Sequence, residues 1–110
     1  MIPYDKRSGK IWYNDELVDW GDVKLHVLSH GLHYASCVFE GERVYDGSIF
    51  KLEEHTSRFF HSAKRMGFEI PYSEEQINIA SNKIIAIILF EAMLICSSEY
   101  GISNPIRLAE

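Results

Sequence analysis

Hydrophobic and polar residues near the start of the chain alternate in a way that predicts a β-hairpin. Two β-prone runs, residues 10–13 and 16–20, are separated by Asn14 and Asp15. Asparagine and aspartate tolerate the left-handed backbone that a tight hairpin turn requires, so we expect the two runs to pair. Residues 23–28 alternate again with a period of two, which predicts a further strand or extended segment.

A longer alternation over residues 37–45 predicts a strand that leads into a second hairpin. The residues that would share one face of this strand are Cys37, Phe39, Gly41, Arg43 and Tyr45. Asp46 and Gly47 follow directly and precede the β-prone Ile49 and Phe50. An Asp-Gly pair in this position is one of the strongest local hairpin signals, because both turn residues favour positive φ.

Helical spacing replaces the alternation after the second hairpin. Residues 53–66 predict a helix with acidic residues in its first turn, basic residues in its last turn and Gly67 as its C-terminal cap. Its expected apolar stripe is Phe59, Ala63 and Met66. Ser73 and Gln76 have the spacing of a capping box, which predicts a second helix that runs into the apolar residues 84–96. Strands followed by helices predict an α+β fold, an antiparallel sheet with helices packed on one side.

Composition and charge restrict the class of partner. Hydrophobic residues make up 46% of the 110 residues and charged residues 25%, which is typical of a single soluble globular domain. The formal net charge of −5 argues against nucleic acid as a partner, because no basic surplus can neutralise phosphates. The apolar runs are shorter than the roughly 20 residues that a membrane span needs. Cys37 and Cys96 lack the spacing of a metal or redox site, which predicts reduced thiols and a cytoplasmic location.

The densest group of unusual residues covers positions 30–41, where histidines, aromatics and glycines are mixed. The histidines have no carboxylate or cysteine at ligand spacing, so we interpret them as hydrogen-bonding groups and predict no metal site. Gly41, inside a predicted strand, indicates a place where a ligand or another backbone comes close. Tyr34 and Phe39 are either core aromatics or walls of a cavity. Arg43 is either a solvated charge or a ligand contact.

His55 and Arg58 are three residues apart near the start of the first predicted helix, which puts them on one face. Two interpretations remain open for this pair. The residues are solvated surface charges, or the planar guanidinium of Arg58 binds a phosphate through two parallel hydrogen bonds.

In combination, these residues resemble the opening of the fold-type IV aminotransferases, and the branched-chain amino acid enzymes most closely. The matching pieces are, in order, residues 11–18 (IWYNDELV), 27–34 (VLSHGLHY), 38–43 (VFEGER), Tyr45, 51–55 (KLEEH), Arg58 and 62–63 (SA). The likeness extends from residue 11 to about residue 85. The order and spacing of the pieces make it specific, although each piece is short.

The resemblance implies a small N-terminal aminotransferase domain over residues 1–96. It also implies pyridoxal 5′-phosphate as the cofactor, an electron sink in the transfer of an amino group from leucine, isoleucine or valine to 2-oxoglutarate. Arg58 would bind the cofactor phosphate. The substrate-binding residues would be Tyr34, Phe39, Gly41 and Arg43. Tyr34 would reach the active site of a neighbouring subunit in a homo-oligomer.

The sequence also departs from the family. The lysine that binds the cofactor covalently lies well downstream in family members and no lysine here matches it, so we assign no catalytic residue. Residues 87–93 (IILFEAM) stand where the family has a Tyr-x-Arg-Pro strand, and residues 97–110 form a divergent tail. We therefore expect a truncated member that is inactive by itself. The alternatives are a relative of D-amino acid aminotransferase or aminodeoxychorismate lyase, and a non-catalytic remnant or interaction domain.

Overall fold

The computed structural model describes the backbone of residues 1–99 and the side chains of residues 1–91. Its elements are, in chain order, a 3₁₀ turn (Tyr4–Lys6), β1 (Lys10–Tyr13), β2 (Glu16–Asp19), α1 (His30–His33), β3 (Val44–Tyr45), β4 (Ser48–Ile49), α2 (Leu52–Arg65) and α3 (Glu74–Glu99). Helix α3 is the longest of them and contacts β1, β4 and α2. Both hairpins and the other long helix therefore pack against the same element.

Strands β1 and β2 form the first predicted hairpin. They pair antiparallel, with Lys10 opposite Asp19 at the open end. These two side chains also form an ion pair. Asn14 and Asp15 occupy the turn with φ of 49° and 69°. Both values are positive, as the Asn-Asp pair predicts, and the first hairpin is confirmed.

Strands β3 and β4 form the second predicted hairpin, with Val44 opposite Ile49. Asp46 and Gly47 occupy the turn with φ of 49° and 79°. This is the pair of positive φ values for which the Asp-Gly sequence is suited. The second hairpin is therefore confirmed at the predicted residues.

The other two alternating stretches contain less strand than an alternation predicts: residues 23–28, for which an extended segment was the alternative, and residues 37–45. Residues 23–28 form no strand, because the chain turns where the backbone N–H and hydroxyl of Ser29 donate to the His26 carbonyl at 2.9 and 2.7 Å. Of residues 37–45, only β3 at the end pairs with a neighbour. A strand requires a partner ladder, and no strand in the described part of the chain lies alongside residues 37–43.

Helix α2 ends in the predicted glycine cap. Gly67 has φ of +79°, a conformation that glycine adopts without steric cost. The backbone N–H of Phe68 donates to the Ala63 carbonyl at 2.9 Å, and that of Gly67 to the Lys64 carbonyl at 3.1 Å. These two hydrogen bonds define the Schellman motif, which satisfies carbonyls that the helix itself leaves without a donor.

The buried face of α2 differs in part from the predicted stripe. Leu52, Thr56 and Ala63 are buried, and Phe59 is half-buried. Met66 is 51% exposed, so the prediction is wrong there. The reason is that Met66 is already the cap residue, where the chain leaves the helix.

Helix α3 begins with the predicted capping box. The Ser73 backbone N–H donates to Gln76 Oε1 at 2.8 Å, and the Gln76 N–H donates to Ser73 Oγ at 3.1 Å. The helix then continues without a break through residues 84–96, as predicted. No helix among residues 1–99 is long and apolar enough to cross a membrane.

The core of the described residues lies between α2 and α3. Thr56 is only 2% exposed, and its hydroxyl donates to Asn78 Oδ1 at 2.5 Å. Ala80 is buried nearby in α3. At the edge of this core, the ring of Trp12 in β1 packs edge-on against Tyr72, with 5.0 Å between centroids.

The α+β fold class is confirmed, with antiparallel strands and packed helices. Among the described residues, the strands form two separate two-stranded sheets and not one continuous sheet. Helix α3 runs past the predicted domain boundary at residue 96. Residues 100–110 of the predicted tail lie outside the described residues.

Candidate functional site

A carboxylate and two basic side chains form a closely bonded polar cluster on α2. Arg58 donates from Nε to Glu40 Oε1 at 2.7 Å and from Nη2 to Glu40 Oε2 at 2.5 Å. His55 Nδ1 lies 2.8 Å from the same Oε2 atom. The Arg58–Glu40 pair is therefore bidentate, the geometry in which a guanidinium and a carboxylate bind most specifically.

Helix α2 supplies both basic residues of the cluster. Residues three apart lie on one face of a helix, which places His55 beside Arg58. Thr56 faces α3, and Arg58 follows it by two residues, or about 200° around the helix axis. Arg58 is therefore on the side of α2 that faces away from α3. Glu40 reaches this side from the unpaired residues 37–43, eighteen positions before Arg58 in the chain.

The hydrogen bonds of the cluster favour the ionised forms of Glu40 and Arg58. The hydrogen bond from Arg58, and after it the one from His55, lowers the pKa of Glu40 from 4.5 to about 2. In return, the hydrogen bond to Glu40 raises the pKa of Arg58. The Glu40 side chain is 11% exposed and that of Arg58 is 64% exposed. An ionised carboxylate is thus covered by the cluster, while the guanidinium that it holds is open to solvent.

A shallow hollow of about 220 Å³ opens beside Arg58. It is lined by Lys51, Glu54, His55 and Arg58. Lys51 precedes the first residue of α2 with φ of 55°, an uncommon backbone conformation for a residue other than glycine. Its Nζ lies 3.7 Å from Glu54 Oε1. The hollow presents one guanidinium and one ammonium group, the second of them paired with the Glu54 carboxylate, and these two cations can bind an oxyanion.

The aromatic residues predicted for the substrate site lie on the surface. Phe39 is 85% exposed and Tyr34 is 73% exposed. Neither lines the hollow beside Arg58. Phe39 immediately precedes Glu40, however, so the carboxylate that holds Arg58 also fixes the backbone position next to Phe39.

Gly41 and Arg43, also predicted for the substrate site, lie on the other side of Glu40 in the chain. A Cβ atom built at Gly41 would meet nothing within 4 Å, so the space beside this glycine is open. Arg43 is exposed, and its carbonyl accepts a 2.8 Å hydrogen bond from the Phe50 N–H that extends the second hairpin. Neither residue lines the hollow beside Arg58.

Sequence reasoning missed Glu40. The alternation over residues 37–45 puts it on the face opposite Phe39 and Gly41, and no role was predicted for it from the sequence. The structure instead pairs it with two residues of α2. The available signal was a glutamate inside the candidate ligand segment, followed by two basic residues on one face of the next helix.

The short helix α1 was also missed. The Ser29 carbonyl accepts hydrogen bonds from the N–H groups of Leu32 and His33 at 3.0 and 3.1 Å, which starts a single helical turn. The ring of His30 packs edge-on against Tyr34, with 5.4 Å between centroids. His26 Nδ1 accepts a 3.1 Å hydrogen bond from the Leu28 N–H. His26 therefore acts as a hydrogen-bonding group, as interpreted from the sequence.

A larger hollow of about 530 Å³ lies between the last turns of α2 and the start of α3. Lys64, Glu69 and Glu74 are among the residues that line it. It includes none of the residues predicted for the site. We therefore place the candidate site at the Glu40–His55–Arg58 cluster, which contains the predicted Arg58 and whose Glu40 lies between the predicted Phe39 and Gly41 in the chain.

Comparisons with known proteins identify the family to which the chain is similar. Residues 37–88, which contain the whole cluster, match the model of the class IV amino-transferase family. The branched-chain-amino-acid aminotransferase of Pseudomonas aeruginosa is 49% identical over 83 residues, which cover 72% of this chain and 27% of that protein. A probable branched-chain-amino-acid aminotransferase of Rickettsia felis is 44% identical over 85 residues, which cover 77% of this chain and 29% of the relative.

A solved structure is similar to the chain as well. The branched-chain aminotransferase of the archaeon Thermoproteus uzoniensis, crystallised with norvaline, superposes with a TM-score of 0.69 at 35% identity. The superposition covers 74% of this chain and 29% of that one. The chain thus spans less than a third of the length of the relatives that it matches. By sequence and by fold, the chain belongs to the class IV aminotransferase family and corresponds to the N-terminal portion of its branched-chain members.

Proposed function

We propose that this chain forms one wall of the cofactor and substrate site of a branched-chain aminotransferase, with Arg58 as the residue that binds the cofactor phosphate. Class IV aminotransferases are pyridoxal 5′-phosphate-dependent enzymes that act on an amino acid and a 2-oxo acid. The observation that carries the proposal is the guanidinium of Arg58. It is held on one edge by Glu40, it is 64% exposed, and it lies within the residues that match the family.

The residues around Arg58 fit the phosphate end of the cofactor. A guanidinium has five N–H donors, and Glu40 occupies one on Nε and one on Nη2. The two donors on Nη1 have no hydrogen bond within the described residues, and Lys51 adds an ammonium group to the same hollow. A phosphate bound there would receive hydrogen bonds and positive charge together, which is the combination that holds phosphates in proteins.

The segment on either side of Glu40 would supply the substrate wall. We assign Phe39 and Tyr34 to the apolar side of a pocket for branched side chains, and their exposure supports a role in contact with another part of an enzyme. Gly41 would let the substrate approach the backbone, because the space beside it is open. Arg43 would line the same side. The bound cofactor would supply the electron sink for amino-group transfer.

Further assignments follow from the same proposal. The substrates would be leucine, isoleucine or valine together with 2-oxoglutarate, in a cytoplasmic homo-oligomeric enzyme. Residues 1–96 would be its small N-terminal domain. The family's lysine that binds the cofactor covalently lies downstream of the matched stretch. The proposal therefore assigns binding and positioning to this chain, and we expect no turnover from the 110 residues alone.

Binding of the phosphate by Arg58 can be tested on the chain itself. The probe is pyridoxamine 5′-phosphate, which has no aldehyde to react with surface lysines, and pyridoxamine without the phosphate is the ligand control. Calorimetric titration should show weaker binding by about tenfold for Arg58→Ala, because a charge-assisted contact is lost. Arg65→Ala, at the exposed end of the same helix, is the matched control and should bind as the parent does. Equal binding by the parent and Arg58→Ala would refute the phosphate assignment.

The substrate class needs a complete active site. In a chimera, residues 11–85 of this chain replace the matched stretch of the Pseudomonas aeruginosa relative. We expect transamination of leucine with 2-oxoglutarate, loss of that activity with Arg58→Ala and its retention with Arg65→Ala. A folded chimera that prefers D-alanine, or that cleaves aminodeoxychorismate, would instead support the other members of the fold.

A further inference from the structure

We propose that Glu40 is a positioning residue, which orients the guanidinium of Arg58 toward the phosphate and fastens the Phe39–Gly41 segment to α2. This inference rests on the proposed function of Arg58 and extends it to a residue that touches neither cofactor nor substrate. The Glu40 carboxylate would have two tasks: the first is to orient Arg58, and the second is to anchor the segment to α2.

The choice of hydrogen-bonding atoms supports the first task. Glu40 engages Nε and Nη2, which form one edge of the guanidinium plane. An arginine held along that edge has a fixed plane and a fixed direction for its remaining nitrogen, Nη1. A phosphate approaching Nη1 would then meet an oriented pair of donors, whereas an unheld arginine samples many rotamers and loses that freedom on binding.

Glu40 and Arg58 differ strongly in their exposure to solvent. Glu40 is 11% exposed and Arg58 is 64% exposed. A ligand from solvent therefore reaches the arginine and not the carboxylate. This order argues that Glu40 supports Arg58 from behind, and it argues against Glu40 as the group that contacts the ligand.

His55 strengthens the hold on Glu40. Its Nδ1 lies 2.8 Å from Oε2, the oxygen that also accepts from Arg58 Nη2. Three nitrogens of α2 thus surround one carboxylate. The lowered pKa of Glu40, about 2, agrees with a group that stays ionised throughout the neutral range.

The second task follows from the lack of strand pairing around Glu40. Residues 37–43 pair with no strand in the described part of the chain. Phe39 is 85% exposed and a Cβ at Gly41 would meet nothing within 4 Å, so neither neighbour anchors the segment by packing. The segment is held at its end by the hydrogen bond from the Phe50 N–H to the Arg43 carbonyl, and next to Phe39 and Gly41 by the hydrogen bonds of the Glu40 carboxylate to α2. Loss of the Glu40 carboxylate should release Phe39 and Gly41 together.

The test compares Glu40→Gln with Glu42→Gln in the 110-residue chain. Glu42 lies in the same segment, is exposed, and loses the same charge on substitution. Glu40→Gln should weaken binding of pyridoxamine 5′-phosphate by about fivefold to tenfold, since a charge-assisted pair is lost, and Glu40→Asp should recover part of this. The nitrogen-15 order parameter of Gly41 should fall in Glu40→Gln only. Glu42→Gln should match the parent in both measurements.

The outcomes separate this inference from the proposed function. If Arg58→Ala binds as tightly as the parent, the phosphate assignment itself fails. If Arg58→Ala weakens binding while Glu40→Gln binds equally or more tightly, the positioning role of Glu40 is overturned and the assignment of Arg58 stands. Tighter binding would mean that Glu40 competes with the phosphate for Arg58.

A measurement on the parent covers the case in which the Glu40 variants do not fold. In the parent, the Nε–H proton of Arg58 should exchange with solvent more slowly than that of Arg65, because Glu40 accepts from it at 2.7 Å. Equal exchange rates at the two arginines would overturn the inference without any substitution at Glu40.

Discussion

The hydroxyl of Thr56 donates a 2.5 Å hydrogen bond to the side-chain oxygen of Asn78, and this bond joins the two long helices inside the core. Thr56 is 2% exposed. Because Thr56 points into α3, Arg58 points away from it, toward Glu40. The packing of α2 on α3 and the geometry of the candidate site are thus set by opposite faces of one helix.

A double-mutant cycle can measure the contribution of this hydrogen bond to stability. We expect Thr56→Val to lower the free energy of unfolding by about 1–2 kcal/mol, because it leaves the amide of Asn78 without its donor. The coupling energy between Thr56→Val and Asn78→Ala should be about 1 kcal/mol in chemical denaturation. Asn82, an exposed asparagine on the same helix, provides the control, and Asn82→Ala should be additive with Thr56→Val. Additivity at Asn78 would contradict the structure.

The Glu40 cluster predicts a dependence of stability on acid pH. The pKa of Glu40 in the folded chain is about 2, below its ordinary value of 4.5. Between these values the unfolded chain binds a proton that the folded chain does not. The stabilisation is therefore complete above pH 4.5 and is lost as the pH falls toward 2.

Denaturation of the parent and of Glu40→Gln from pH 7 to pH 2 checks this prediction. The difference in unfolding free energy between the two proteins should be largest at neutral pH and should shrink steadily below pH 4.5. A difference that stays constant over the whole range would show that the carboxylate carries no special stabilisation.

Two glycines should respond differently to the same substitution. Gly47 has φ of +79°, and a Cβ there would lie 3.2 Å from Leu89 Cδ1. Gly47→Ala should cost about 1–2 kcal/mol of stability from the backbone conformation, and more from the contact. Adding Leu89→Ala should relieve the contact but not the backbone cost. Gly41→Ala is the control, since its Cβ meets nothing within 4 Å and stability should change by less than about 0.5 kcal/mol.

Ala35 offers a test in the stabilising direction. It has φ of +53°, in the left-handed region that disfavours residues with a Cβ. Ala35→Gly should therefore raise stability by about 0.5–1 kcal/mol. Ala86→Gly, at an exposed position inside α3, should lower it by about 1 kcal/mol, because glycine is a poor helix former. Thermal denaturation that gives the two variants shifts of the same sign would contradict the backbone assigned to Ala35.

The parts of the fold that the sequence predicted correctly are those decided within a few residues. Asp46 and Gly47 define their turn by their own φ preferences, and the Ser73–Gln76 capping box closes within one helical turn. Gly67 ends α2 because glycine readily adopts the positive φ that the helix cap requires. Such signals depend on local backbone energies and need no knowledge of the rest of the molecule.

The parts that only the tertiary structure decided involve partners far apart in the chain. Alternation over residues 37–43 indicated an extended segment, but a strand forms only where a second strand supplies hydrogen bonds, and here none of the described strands does. The sequence likewise placed Arg58 on a helix face and identified it as a candidate phosphate ligand. Its bond to Glu40 spans eighteen residues and arises because α2 packs on α3 and turns that face toward the segment. Periodicity determines which side of an element a residue occupies, whereas the group that it meets there depends on how the elements pack.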